Sequence, residues 1–137
     1  MLTVETRYAI SPVEARSMDT AALRDAFLCQ NMFRAGEIRL VYSHYDRMIL
    51  GGAIPDGMPL CLDHVAASGT ASLLDRREMA VVNIGDAGSV ATKDATYQML
   101  AGDVLYLPMG SGAVTFSGMG RFYILSAPAH AAYPARL

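Results

Sequence analysis

Residues Gly102 to Gly110 read Gly-Asp-Val-Leu-Tyr-Leu-Pro-Met-Gly. Glycine enters conformations closed to other residues, so Gly102 can turn the chain into a strand. Proline fixes φ and offers no amide hydrogen, so Pro108-Met109-Gly110 turns the chain out again. The residues between are apolar and β-prone, long enough for one short strand. A second spacing of this kind lies upstream, where Glu78 and Gly85 are separated by six residues.

Working outward, the same grammar recurs. Glu37 to Ser43, Arg47 to Ile54, Glu78 to Ile84, Thr96 to Leu100, Asp103 to Leu107, Ala113 to Phe116 and Arg121 to Leu125 are expected strands, punctuated by glycine or proline. Pro55-Asp56-Gly57 and Gly85-Asp86-Ala87-Gly88 read as turns, and Gly51-Gly52 as a bulge or a close backbone approach. Short strands with no helices between them mean an antiparallel barrel or sandwich. Helices are expected only before residue 31. Ser11-Pro12-Val13-Glu14 is a capping box with proline at the first helical position. A second helix follows Asp19 or Thr20, with Leu23, Ala26 and Phe27 on one face as an expected core contact.

The spacing Gly-x5-Pro-x-Gly is that of the second signature of the cupins, and Glu78-x6-Gly85 resembles the end of the first. The resemblance implies an all-β cupin (RmlC-like), an antiparallel barrel or double-stranded β-helix, here with two short N-terminal helices. It divides the chain into a helical segment 1–30, a degenerate cupin barrel 31–126, and an extended tail 127–137 leading toward an absent second cupin. Metal-binding cupins place histidines where this chain has Ala113, and Ser72 and Leu74 or Ala71 and Leu73. A metal such as zinc needs three or four nitrogen, sulfur or carboxylate donors at one point. Glu78 alone is no such set, so no metal site is expected on this chain.

A narrower resemblance rests on Tyr42-Ser43-His44-Tyr45-Asp46-Arg47 with Ile49-Leu50-Gly51-Gly52, on Asp75-Arg76-Arg77-Glu78 with Val82-Asn83-Ile84-Gly85, and on Ala127-Pro128-Ala129-His130 with Tyr133-Pro134. These stretches are similar, at matching intervals, to the 4-deoxy-L-threo-5-hexosulose-uronate ketol-isomerases. That family implies interconversion of 5-dehydro-4-deoxy-D-glucuronate and 3-deoxy-D-glycero-2,5-hexodiulosonate in breakdown of pectin-type polymers. It implies two tandem cupins per chain, a hexamer, and one zinc held by the second cupin, which this chain lacks. A uronate-derived sugar acid, the C-terminal cupin and further copies of the chain are therefore the implied partners. Three roles stay open: an N-terminal half that builds the assembly, a stand-alone non-catalytic cupin binding a sugar acid or a protein, or a metal-independent catalyst.

Moving a carbonyl along a sugar needs oxygen polarisation and a proton-transferring base. Candidate catalytic residues are His44, Asp46, Arg47 and Glu78; candidate substrate-binding residues are Tyr42, Arg76, Arg77 and His130. On an unbroken strand Tyr42, His44 and Asp46 would share a face, and a carboxylate beside a histidine can orient it. The plainer reading is a hydrogen-bonded corner between two strands, or part of the hexamer interface that the resemblance implies. One of Arg76 and Arg77 could grip a carboxylate bidentately, or simply form a surface or subunit-interface salt bridge. Glu78 is either a substrate-facing carboxylate or a barrel-mouth residue paired with an arginine, and His130 a linker contact.

Composition excludes several classes. The 137 residues suit one domain, and 53% hydrophobic content opposes disorder. A net charge of −2 gives no electrostatic case for nucleic acid. No apolar run approaches the roughly 18 residues of a membrane span, and no signal-peptide core is present. Cys29 and Cys61 are isolated and are expected as buried thiols in a reducing cytoplasm. Gly110-Ser111-Gly112 is no dinucleotide fingerprint, since Thr115 takes the third glycine position.

Overall fold

The computed structural model describes Met1 to Leu137. Ten strands form two sheets. They are β1 (Leu2–Arg7), β2 (Glu37–Ser43), β3 (Ile49–Ile54), β4 (Leu60–Leu62), β5 (Arg77–Asn83), β6 (Gly88–Ala91), β7 (Thr96–Met99), β8 (Val104–Leu107), β9 (Val114–Gly118) and β10 (Phe122–Pro128). One sheet has the order β1-β2-β3-β10-β5-β8, the other β4-β9-β6-β7. All pairings are antiparallel except β1 with β2. This is the all-β, two-sheet architecture expected of a cupin.

The glycines on either side of β8 do what their chemistry allows. Gly102 and Gly110 have φ of 89° and 85°, in the left-handed region, and the strand runs between them. Between the sheets lies a core of 20 buried residues. Phe116 of β9 and Phe122 of β10 meet across it with ring centroids 5.3 Å apart. Burying each such ring is worth about 1.5–3 kcal/mol by area alone.

Alternation along β5 sorts its side chains between the barrel interior and the outer face. Arg77, Met79, Val81 and Asn83 are buried, while Glu78, Ala80 and Val82 are half-buried on the outer face. Asn83 is fully buried and fully used. Its side-chain amide donates to Asp86 O and Met99 O, and its Oδ1 accepts from Gly85 N and Arg121 N.

Gly51 and Gly52 form no bulge, because β2 and β3 pair in continuous register through Arg39↔Gly52 and Leu40↔Gly51. The reason is close approach. A Cβ on Gly52 would stand 2.6 Å from Met32 O and 2.7 Å from the Phe33 ring.

Several expectations need correction. The segment 1–30 is not helical throughout: Leu2–Arg7 is a strand, added in parallel to the edge of β2. Its polar-rich sequence hides this because an edge strand needs only one backbone neighbour. Helix α1 (Pro12–Ala15) has its capping box, and α2 (Thr20–Phe27) is capped by Asp19. The Leu23, Ala26 and Phe27 stripe does not enter the core. No residue of α2 is buried, and Phe27 is 51% exposed. The space between the sheets is filled by strand residues, so the helix lies outside, where Ala26 and Phe27 border a groove with Val41 and Leu50. Two further strands escape the sequence pattern, the three-residue β4 and the glycine-led β6. Cys61 is exposed and Cys29 half-buried, because β4 points Leu60 and Leu62 inward and Cys61 out. The tail is not wholly linker. Ala127 and Pro128 still belong to β10, and Arg136 bridges to Tyr106 of β8 through a pair of backbone hydrogen bonds of 2.7 and 3.1 Å.

Candidate functional site

At one mouth of the barrel, β2 ends, β3 and β5 begin, and β10 runs out. Arg77, at the first inward position of β5, is 6% exposed. Its Nε donates to Ser126 Oγ at 3.1 Å, and its Nη2 donates to Ser126 O at 2.9 Å and to Arg47 O. The guanidinium carbon stands 5.7 Å from the centre of the Tyr42 ring. No carboxylate pairs with it. The ion pairs of the chain join Arg7 to Glu5 and Arg34 to Glu37. Burial, with Arg47 nearby adding to the effect, lowers the Arg77 pKa from its usual value. An arginine remains charged despite this, so a buried cation stands here without a counter-charge.

Arg77 is not alone. A pocket of about 170 Å³ is lined by Tyr42, Arg47, Ser68, Thr70, Arg76 and Arg77, together with Gly69 and Pro128. Three arginines thus line one concavity in a chain whose net charge is −2. Such a concavity concentrates positive potential and attracts anions.

The 42–47 cluster is divided by the backbone. β2 stops at Ser43, and Asp46 and Arg47 both have φ of 52° in the turn to β3. For a non-glycine residue that conformation costs on the order of 1 kcal/mol. The turn ends the alternation, so Asp46 does not share a face with Tyr42 and His44. No hydrogen bond joins His44 to Asp46; the exposed His44 ring stacks on Tyr8 at 4.7 Å and meets the Tyr42 ring edge-on at 5.3 Å. Tyr42, Arg47, Arg76 and Arg77 are therefore brought together, and His44 and Asp46 stand aside as a corner. His130 is exposed and makes no side-chain hydrogen bond.

Glu78 pairs with no arginine, so the barrel-mouth ion-pair reading is corrected. It faces outward from β5, away from the barrel interior and from Arg77. Its carboxylate accepts a 2.7 Å hydrogen bond from Tyr106 Oη. Loss of water and the neighbouring carboxylate push the Tyr106 hydroxyl up to about 12. The two border a groove on the outer face, about 180 Å³, with Met48, Ala80 and Leu125.

Zinc does not fit the barrel interior. Leu73 and Leu74 belong to the apolar core, and no three His, Cys, Asp or Glu side chains converge anywhere in the chain. Ser68, Gly69 and Thr70 lie outside the sequence-based site. They sit on a short 3₁₀ turn (Ala66–Ser68) and the loop after it, and nothing local marks them as mouth residues.

Comparison with known proteins finds relatives along the whole chain. The chain is 65% identical over 137 residues to the 4-deoxy-L-threo-5-hexosulose-uronate ketol-isomerase of Cereibacter sphaeroides strain ATCC 17029, matching all of this chain and 50% of that protein. Over its whole length the chain is thus similar to one half of a protein named 4-deoxy-L-threo-5-hexosulose-uronate ketol-isomerase. The namesake of Agrobacterium fabrum is 59% identical over 137 residues, again 100% of this chain and 50% of that protein. That of Shouchella clausii is 40% identical over 139 residues, 98% of this chain and 50% of that protein. The chain thus spans about half the length of the curated ketol-isomerases it matches. No protein-family model matches it. Among solved structures, a cupin protein from Bacteroides fragilis aligns at 14% identity and TM-score 0.46, over 64% of this chain and 70% of that one. A cupin-2 domain protein from Shewanella frigidimarina aligns at 11% identity and TM-score 0.43, over 85% of this chain and 98% of that one.

Proposed function

We propose that this chain acts as the N-terminal domain of a uronate ketol-isomerase, the enzyme that interconverts 5-dehydro-4-deoxy-D-glucuronate and 3-deoxy-D-glycero-2,5-hexodiulosonate in the cytoplasm. Its own role is to build the assembly and flank a catalytic centre carried by the other half. The single observation behind this is full-length identity of 65% to proteins twice as long. The chemistry of the barrel supports it. The interior that would hold a metal holds Leu73, Leu74, Met79 and Val81 instead. In this reading zinc belongs to the other half, where it would polarise the substrate oxygens, and no step runs through this chain.

The apolar outer face of the six-stranded sheet supports an assembly role. Leu50, Leu125, Ala80 and Tyr106 lie in one row across four strands by their register. The partner in this reading is the C-terminal cupin or another copy of the chain, within a hexamer.

The test is isomerase activity on 5-dehydro-4-deoxy-D-glucuronate, assayed for this chain with and without added zinc and for a chain that continues through a second cupin. Turnover only by the longer protein is the expected result. Zinc-independent turnover by this chain alone would overturn the proposal and return His44 and Asp46 to candidacy.

A further inference from the structure

The mouth pocket is unused in the proposal above, since a scaffold does not require it. We propose that the pocket formed by Arg47, Arg76, Arg77, Tyr42, Ser68 and Thr70 is a binding site for the carboxylate end of a sugar acid. The anion site rests on the arginines themselves. The choice of a sugar acid rests in addition on the family reading.

Four observations carry the site. First, Arg77 is buried without a carboxylate partner, and its Nε and Nη2 are fixed by Ser126 and Arg47 O. Its Nη1 makes no hydrogen bond within the protein and belongs to a group that lines the cavity. Burying an uncompensated charge is costly, so an unpaired buried guanidinium at a mouth asks for an anion. Second, Arg47 and Arg76 line the same cavity, both exposed and neither in an ion pair. Two or three guanidiniums around one oxyanion give the strong charge-assisted bonds that arginine makes with planar carboxylates.

Third, the remaining groups suit a polyol. Tyr42 lines the cavity beside Arg77. Ser68 Oγ donates to Val65 O and pairs with Thr70 Oγ1, which lies within hydrogen-bond distance of Ser72 O. Ser68 Oγ also accepts from Thr70 N, which leaves Thr70 Oγ1, a donor to Ser72 O, as the oxygen with a lone pair for a sugar hydroxyl. Fourth, the pocket's about 170 Å³ is an order of magnitude above the roughly 10–15 Å³ that one water needs, which leaves room for a carboxylate and several carbons. The strained φ of Arg47 adds to this, because the turn directs its carbonyl onto Arg77.

The experiment tracks amide NMR shifts of the 137-residue chain during titration with D-galacturonate, with D-galactose and inorganic phosphate as parallel probes. Saturable shifts of Gly69, Thr70 and Arg77 with galacturonate, and none with galactose, are expected. Arg76→Ala and Arg47→Ala, both exposed and so compatible with folding, are expected to weaken binding about tenfold each. Arg121→Ala, an exposed arginine outside the pocket, is expected to bind as the parent does. Equal response to galactose, phosphate binding as tight as galacturonate, or unchanged affinity in Arg76→Ala and Arg47→Ala would each overturn the proposal. None of these readouts involves turnover, so the isomerase reading can fail while this site stands, and the reverse.

Discussion

Tyr106 Oη donates a 2.7 Å hydrogen bond to the Glu78 carboxylate across the β5–β8 pair, on the outside of the barrel. Glu78 falls in the spacing of a metal-ligand signature, yet the pleat of β5 sends it away from the interior that a ligand would face. Its partner is a phenol held by burial and by that carboxylate.

Glu78→Gln is expected to lower the Tyr106 pKa from about 12 toward the ordinary value near 10, without reaching it, because burial is the larger cause. Ultraviolet titration of the tyrosines reads this directly. The linkage has a definite sign. Between about pH 10 and about 12 the folded chain holds a proton that the unfolded chain has lost, so stability is complete below pH 10 and falls through that window. In the Gln variant that fall should be smaller.

Asn83→Leu keeps volume but strands two backbone N–H groups and two carbonyls around a fully buried position. A loss of about 3 kcal/mol is expected. Urea unfolding should show a lower midpoint at unchanged slope; a change below about 0.5 kcal/mol would mean the network contributes little.

Gly52→Ala adds one methyl facing Met32 O and the Phe33 ring at distances no Cβ tolerates. The segment before β2 must move away, at a cost of about 1–3 kcal/mol. Thermal unfolding measures it. A neutral result would mean that Met32 and Phe33 can be displaced freely.

Leu125→Glu places a charge in the middle of the apolar outer row between Leu50 and Ala80. Light scattering is expected to give a mass above 14.7 kDa for the parent and 14.7 kDa for the variant. Equal masses would remove this face from the assembly.

Much of the barrel is legible in the sequence because strand alternation and turn chemistry are local. Glu37–Ser43 reads to the residue, the strands at 96, 104, 114 and 122 within a few residues, and the Ser11 capping box from four letters. What local pattern hides is pairing. β1 becomes a strand only because the edge of β2 is open beside it, and α2 stays outside because strand side chains already fill the interior.

The candidate site divides along the same line. The amino-acid sequence by itself determined which groups exist: three arginines and a tyrosine near residues 42–47 and 76–77, and apolar residues where metal ligands would stand. Only the tertiary structure decided their company. A turn at Asp46 and Arg47 broke the His44–Asp46 face, and a single step along β5 placed Arg77 inside and Glu78 outside. Strand pairing then set Arg77 against Ser126, 49 residues away in the chain, and a loop brought Ser68 and Thr70 to the same mouth. Those contacts form between segments distant in the chain, so no local pattern encodes them, and the pocket exists only once the sheets have closed.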